Sequence, residues 1–194
     1  MKIVGILLAA GFSRRFGDAN KLSHILLDSR PVGLAAAENL VAAITDSIAV
    51  IRPNEHTLGE LLTKAGLQVI TCSEDQQNMS DSLVAAVKRT ADMAVDGFVI
   101  ALADMPFIRS TTISMVAQQL RDGADIMMPS YQGQRGHPVG FSSKFRNELE
   151  SLHGDEGARS IVRQHAQQVS TFESDDPGIL ADIDTLADLK KYQP

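Results

Sequence analysis

KIVGILLAAG, Lys2 to Gly11, decides how the chain is read. Residues 3–8 are a continuous apolar run, the pattern of a parallel strand buried on both faces. The run ends in Ala9, Ala10 and Gly11, small residues that let a ligand approach the backbone closely. The same theme repeats downstream. Apolar runs at 47–51, 67–71, 98–102 and 124–128 read as strands, the last ended by Pro129. Between them, residues 32–43, 55–65, 80–90 and 110–121 carry apolar positions at helical spacing, with Ser80 as a candidate N-cap. Strands alternating with helices predict an α/β fold with a largely parallel central sheet. The C-terminal third is less regular. Residues 138–141, 168–172 and 179–183 read as strands, and 142–152, 157–166 and 185–191 as helices.

The totals agree with a globular chain. It has 194 residues, 44% hydrophobic and 22% charged, with a net charge of −6. No repeat, low-complexity segment or linker divides it, so one domain over residues 1–194 is expected. Disorder is excluded by the apolar content. The acidic balance and the absence of Trp argue against a nucleic-acid partner. No apolar stretch is long enough to span a bilayer, so no membrane role is expected. The single cysteine, Cys72, cannot form an internal disulfide, which favours a reducing, cytoplasmic setting. Lys2 and the apolar run imitate a short signal peptide, but Ser13-Arg14-Arg15 ends the run without a small-residue cleavage site.

In parallel sheets, ligands sit outside the carboxyl ends of the strands. The loops after residues 8, 71, 102, 128 and 183 are therefore the ones to inspect. The first continues as LAAGFSRRFGDANK. Backbone N–H groups with Arg14, Arg15 and Lys21 suit a polyphosphate, although an ordinary turn with solvated cations reads the same way. Neither a P-loop nor a GxGxxG fingerprint is present. In ALADMP, Asp104 follows a strand and suits a Mg²⁺ site, or else a turn. In ADIDTLADL, Asp182 and Asp184 lie two apart and would share one face of a strand; Asp184 or Thr185 could instead cap a helix.

These segments together resemble a known family. LAAGFSRRFGDANK is similar to the LAAGxSxRxGxxxK signature of nucleotidyltransferases with the glycosyltransferase-A-like fold. NMSDSL is similar to the GMSxSL segment of the molybdenum cofactor nucleotidyltransferases, with Asn78 in place of Gly. RGHPVGF and LHGDEGAR resemble RGHPVxF and LxGDxGAR of the molybdenum cofactor cytidylyltransferases, the MobA-like enzymes. The resemblance implies a three-layer α/β/α sandwich with a mostly parallel sheet, like the nucleotide-diphospho-sugar transferases. It implies transfer of CMP from CTP to the terminal phosphate of molybdopterin or its molybdenum form, with Mg²⁺ as cofactor. It implies Arg15, Lys21 and Asp104 as catalytic groups, and Leu8, Ala9, Ala10, Gly11, Arg14, Ser80 and Ser82 as the nucleotide site. Arg135, Gly136, His137, Pro138 and Arg159 would face the pterin. Asp104 with Asp184 or Asp182 would hold the metal, and a recipient molybdoenzyme or its chaperone would be a partner. Ala10 matches the CTP form of the motif; a guanylyltransferase, a sugar-phosphate nucleotidyltransferase and a non-catalytic nucleotide carrier are the alternatives.

Charge is unevenly placed. Residues 1–21 carry net +3 and residues 171–194 net −4. That pattern permits a small anion site on an acidic chain.

Overall fold

The computed structural model describes residues 1–11, 21–73 and 78–192. A mixed sheet of eight strands forms the middle layer, in the order β3-β2-β1-β4-β7-β5-β6, with β8 also on β5. β1 (Ile3–Leu8), β2 (Ser47–Ile51), β3 (Gln68–Thr71) and β4 (Gly97–Leu102) run parallel. β5 (Ile126–Tyr131) and β8 (Val169–Glu173) form a further parallel pair. β7 (Val139–Ser142) lies antiparallel between β4 and β5, and β6 (Gln134–Arg135) makes a hairpin with β5. The sheet is mostly parallel, as expected, with the antiparallel pairs confined to the region around β7 and β6.

Alternation along β1 sends side chains to two separate cores. Ile3 and Leu7 pack with α1 (Val32–Ala43), α2 (His56–Lys64) and α4 (Ser110–Arg121) on one face. Val4 and Ile6 pack with α3 (Met79–Arg89), α5 (Arg146–Glu150) and α6 (Arg159–Gln164) on the other. α7 (Leu186–Tyr192) closes the chain. Every residue of β2, and all of β1 and β4 but their last, is buried. That explains why these strands read as unbroken apolar runs.

Four expectations need correction. β5 does not stop at Pro129. The strand pairs with β7 through Ile126 and Met127, then with β6 through Ser130 and Tyr131. Pro129 faces the edge where the partner changes from β7 to β6, accepting there from Gly136 N, so its missing N–H leaves the β8 ladder on the other edge unbroken from Ile126 to Ser130. Residues 179–183 are not a strand. Pro177–Leu180 is a 3-10 turn, capped by the Asp176 carboxylate accepting from Gly178 N, and 181–184 continue without a ladder. The N-cap of α3 is Asn78, not Ser80: Asn78 N donates to Asp81 Oδ2 at 3.1 Å, and Ser80 is buried within the first turn. The expected helices at 142–152 and 157–166 are shorter: a 3-10 turn, Ser143–Phe145, leads into α5, and another, Ala166–Gln168, follows α6.

Candidate active site

The chain lays β2 and β3 to one side of β1 and then places β4 on the other. The sheet therefore switches direction between β1 and β4, where a crevice opens at the strand ends. Leu8 and Leu102, the last residues of these strands, are register partners. Ala9, Ala10 and Gly11 leave β1 there, and Ala103 and Asp104 leave β4.

Lys21 reaches back over this crevice from a 3-10 turn, Lys21–Ser23. Its Nζ donates to Asp104 Oδ2 at 2.6 Å and to Asp184 Oδ1 at 2.9 Å. The lysine is only 8% exposed. Burial alone would lower its ammonium; the charge and hydrogen bond of Asp104, joined by those of Asp184, outweigh burial and hold it above its ordinary value. Asp184 is brought in by a backbone bond from Ile183 N to Asp104 O, 2.9 Å. Asp188 steadies the same turn, accepting from Asp184 N, Thr185 N and Thr185 Oγ1. Three residues far apart in sequence thus form one charged cluster.

The cluster has room for a cation in one respect. Asp104 Oδ1 is buried and has no hydrogen-bond partner. A carboxylate oxygen left bare in this way fits a hard divalent ion, which takes oxygen ligands. Among the described residues no three His, Cys, Asp or Glu side chains form a closed metal cage. An ion here would draw its further ligands from phosphates or water, as Mg²⁺ commonly does.

Two hollows open at the strand ends, and Lys21 and Asp104 line the smaller. The smaller, about 70 Å³, is lined by Leu8, Ala9, Ala10, Gly11, Lys21, Leu22, Met79, Ser82, Leu102 and Asp104. The larger, about 460 Å³, has an apolar floor that includes Leu83, Ile100, Met105, Met128 and Val139. Its polar lining is Arg135, His137, Glu156, Arg159, Arg163 and Asp182. Residues from both the RGHPV and the GDEGAR segments therefore face one cavity.

The expected site residues sort as follows. Leu8, Ala9, Ala10, Gly11, Lys21, Ser82 and Asp104 share the smaller hollow. Ser80 lines neither; its Oγ is buried without a partner. Arg135, Gly136, His137 and Arg159 line the larger cavity, whereas Pro138 does not. Gly136 serves by what it lacks, since a Cβ would fall 2.4 Å from Ile179 O. Asp182 and Asp184 do not share a site: Asp182 lines the larger cavity and Asp184 pairs with Lys21. Arg14 and Arg15 lie outside the described residues.

His137 is held neutral. Burial pushes its imidazole down to about 4, the nearby Arg159 guanidinium acts in the same direction, and Asp182 opposes both. Its Nδ1 is buried without a hydrogen-bond partner. Glu156 pairs with Arg163, not with Arg159. His165 meets Glu148 at 2.8 Å and stacks edge-on against Phe145. Burial raises the Cys72 thiol, which leaves it unsuited to act as a nucleophile.

Sequence reasoning missed Met79, Met105, Met128 and Arg163 as lining residues. The methionines carry no signal, because apolar side chains line cores and cavities alike. Arg163 lies four residues after Arg159 and so on the same helix face, a spacing that was readable.

The chain is similar to the purine catabolism protein PucB of Bacillus subtilis (strain 168), with 27% identity over 192 residues, covering 94% of this chain and 92% of that protein. It is also similar to nicotine blue oxidoreductase of Paenarthrobacter nicotinovorans, with 25% identity over 95% of this chain and 93% of that protein. Among solved structures, Rv0371c from Mycobacterium tuberculosis H37Rv matches with a TM-score of 0.84 and 25% identity over 100% of this chain and 97% of that one. Rv0371c has also been solved in complex with manganese. A nucleotidyl transferase from Methanothermobacter thermautotroptrophicus, Mth528, shares the fold with a TM-score of 0.82 at 17% identity, over 99% of this chain and 96% of that one. No helix among the described residues is long and apolar enough to cross a membrane. The model of the MobA-like NTP transferase domain matches residues 5–169, and the chain belongs to that family of nucleotidyltransferases.

Proposed function

We propose that this single-domain chain transfers CMP from CTP to the terminal phosphate of molybdopterin, or of its molybdenum form, and releases pyrophosphate. The observation that carries this reading is the Lys21–Asp104–Asp184 cluster, whose Lys21 and Asp104 line a small hollow walled by LAAG, next to a larger cavity walled by RGHPV and GDEGAR residues that shares Leu8, Met79 and Leu102 with it. In the step, an acceptor phosphate oxygen bonds to the α-phosphorus, the α–β bridging bond breaks, and pyrophosphate departs with that electron pair. Both reactants are anions, so most of the barrier is electrostatic, and fixed positive charge is the largest available term. Lys21 holds that charge at the strand ends, and Arg15 is proposed to add to it on the leaving pyrophosphate. No side chain has to act as a nucleophile.

Asp104 and Asp184 would hold a divalent ion, Mg²⁺ or the Mn²⁺ found with Rv0371c. Such an ion, when bound, would neutralise and align the phosphates. Asp182 is not proposed as a ligand, because it faces the acceptor cavity. Neutral His137 would offer a ring nitrogen to the acceptor without adding charge. The methyl of Ala10, on the nucleotide side, favours CTP over GTP.

The test is pyrophosphate release with Mg²⁺, molybdopterin and each nucleoside triphosphate in turn. Turnover with CTP is expected. Turnover with GTP alone overturns the cytidylyl assignment. Tight CTP binding without turnover overturns catalysis and favours a carrier.

A further inference from the structure

We infer that Met79 is a positioning and specificity-determining residue that partitions the nucleotide hollow from the acceptor cavity. The inference rests on the nucleotidyl-transfer reading above. The two hollows share three described residues, Leu8, Met79 and Leu102. Leu8 and Leu102 are paired across β1 and β4, so the sheet fixes them. Met79 is the wall on the other side. It is the first residue of α3 and is 44% exposed. Any acceptor phosphate that reaches the α-phosphorus crosses the line these three residues draw.

The neighbouring loop is shaped around this side chain. A Cβ on Gly157 would fall 3.1 Å from Met79 Sδ and 3.4 Å from its Cγ. Gly157 also has φ +56°, a conformation that disfavours other residues. Ser80 N donates to Gly154 O at 3.4 Å, tying the first turn of α3 to the same loop. The GDEGAR segment therefore seats Met79 as well as lining the cavity.

Methionine suits this place chemically. Its unbranched thioether adapts to different occupants and still presents a continuous apolar surface. An apolar wall between the two hollows keeps bulk water from the α-phosphorus and narrows the approach of the attacking oxygen. Without it, water competes: a water oxygen bonds to the α-phosphorus and gives up a proton to solvent, the α–β bridging bond breaks with its electron pair leaving on pyrophosphate, and CTP becomes CMP.

The experiment compares wild type, Met79→Ala and Met79→Leu, measuring pyrophosphate release with and without molybdopterin and titrating the acceptor. Because Met79 is half-exposed, Met79→Ala retains the fold, which thermal melting checks. Met79→Ala is expected to raise the acceptor KM about tenfold, the scale of one lost apolar side-chain contact. It is also expected to increase the share of pyrophosphate released without acceptor. Met79→Leu restores both toward wild type. Gly157→Ala, which presses on the thioether, reproduces the Met79→Ala pattern in milder form. An active wild type with Met79→Ala unchanged in KM and in acceptor-free release overturns this inference alone. Equal impairment of the Ala and Leu variants overturns it too. A wild type that releases no pyrophosphate from any nucleotide overturns the transfer reading, and this inference with it.

Discussion

Replacing Lys21 with methionine separates what the cluster does for stability from what it does for chemistry. The change keeps an unbranched side chain of similar length and removes the ammonium that lies 2.6 Å from Asp104 and 2.9 Å from Asp184. Breaking a fully buried pair costs about 3–5 kcal/mol. Here the Asp184 side chain is 38% exposed and the Asp104 side chain 22%, so solvent screens part of the loss and about 2 kcal/mol is expected. The loss depends on pH in a defined direction. The folded-state ammonium titrates above its ordinary value, so its contribution is whole below pH 10.5 and fades as pH rises through the raised value. The gap between wild type and variant should therefore be constant through neutral pH and close only in strong alkali. Removing the ammonium also leaves two carboxylates facing one another, and a divalent ion can then relieve them. Urea unfolding of Lys21→Met should accordingly show a midpoint below wild type in EDTA and a larger rescue by Mn²⁺ than wild type shows. Catalysis should fall without such a rescue, with turnover down by about 10²–10³-fold, as for loss of one preorganised charge donor. A variant as stable as wild type in EDTA, with no added response to Mn²⁺, would refute the cluster geometry. Turnover within a few-fold of wild type would refute the role of Lys21.

Further outcomes follow from buried groups away from the cluster. His137 titrates near 4 in the fold and near 6.5 when unfolded, so the unfolded chain binds the extra proton between those values and stability falls as pH drops through that window. The gap bounds the effect at about 3 kcal/mol, and His137→Gln should flatten the decline between pH 7 and pH 4.5 in urea titrations; an unaltered slope counts against a neutral His137. Asp176 is 1% exposed and accepts from Arg109 N at 2.9 Å, Thr112 Oγ1 at 2.6 Å and Gly178 N at 3.0 Å. Asp176→Ala should cost about 2–4 kcal/mol in thermal or chemical melts by stranding these donors, and Asp176→Asn less; equal stability of both with wild type would contradict that clamp. Gly136→Ala drives a methyl toward Ile179 O and should weaken acceptor binding more than CTP binding, measured by separate titrations.

The sheet was legible because β1, β2 and β4 are buried on both faces and leave unbroken apolar runs. Helix α4 was readable to the residue, since its apolar positions and Gly123 mark both face and end. Residues 179–183 misled for a physical reason. Ile179, Ala181 and Ile183 are all buried, so alternation is present without a ladder. Periodicity reports which side chains are covered, not which backbones pair. The same error placed Asp182 beside Asp184. Residues two apart share a face only in a regular strand, and here His137 N holds Ile179 O while Asp104 O holds Ile183 N. Lys21, Asp104 and Asp184 were readable as candidates through the family resemblance, and their convergence came from the fold. The continuity of the larger cavity was not readable, because its floor consists of ordinary core residues from several elements.

The central claim is that this chain moves a nucleotidyl group, and label transfer tests it most directly. CTP labelled at the α-phosphorus is incubated with the protein, a divalent ion and molybdopterin, and the label is followed by chromatography. The account predicts label in a molybdopterin–cytidine dinucleotide, one pyrophosphate released per label transferred, and loss of both with Asp104→Asn in a folded variant. Label that stays in CTP, or transfer that continues undiminished in Asp104→Asn, would contradict it.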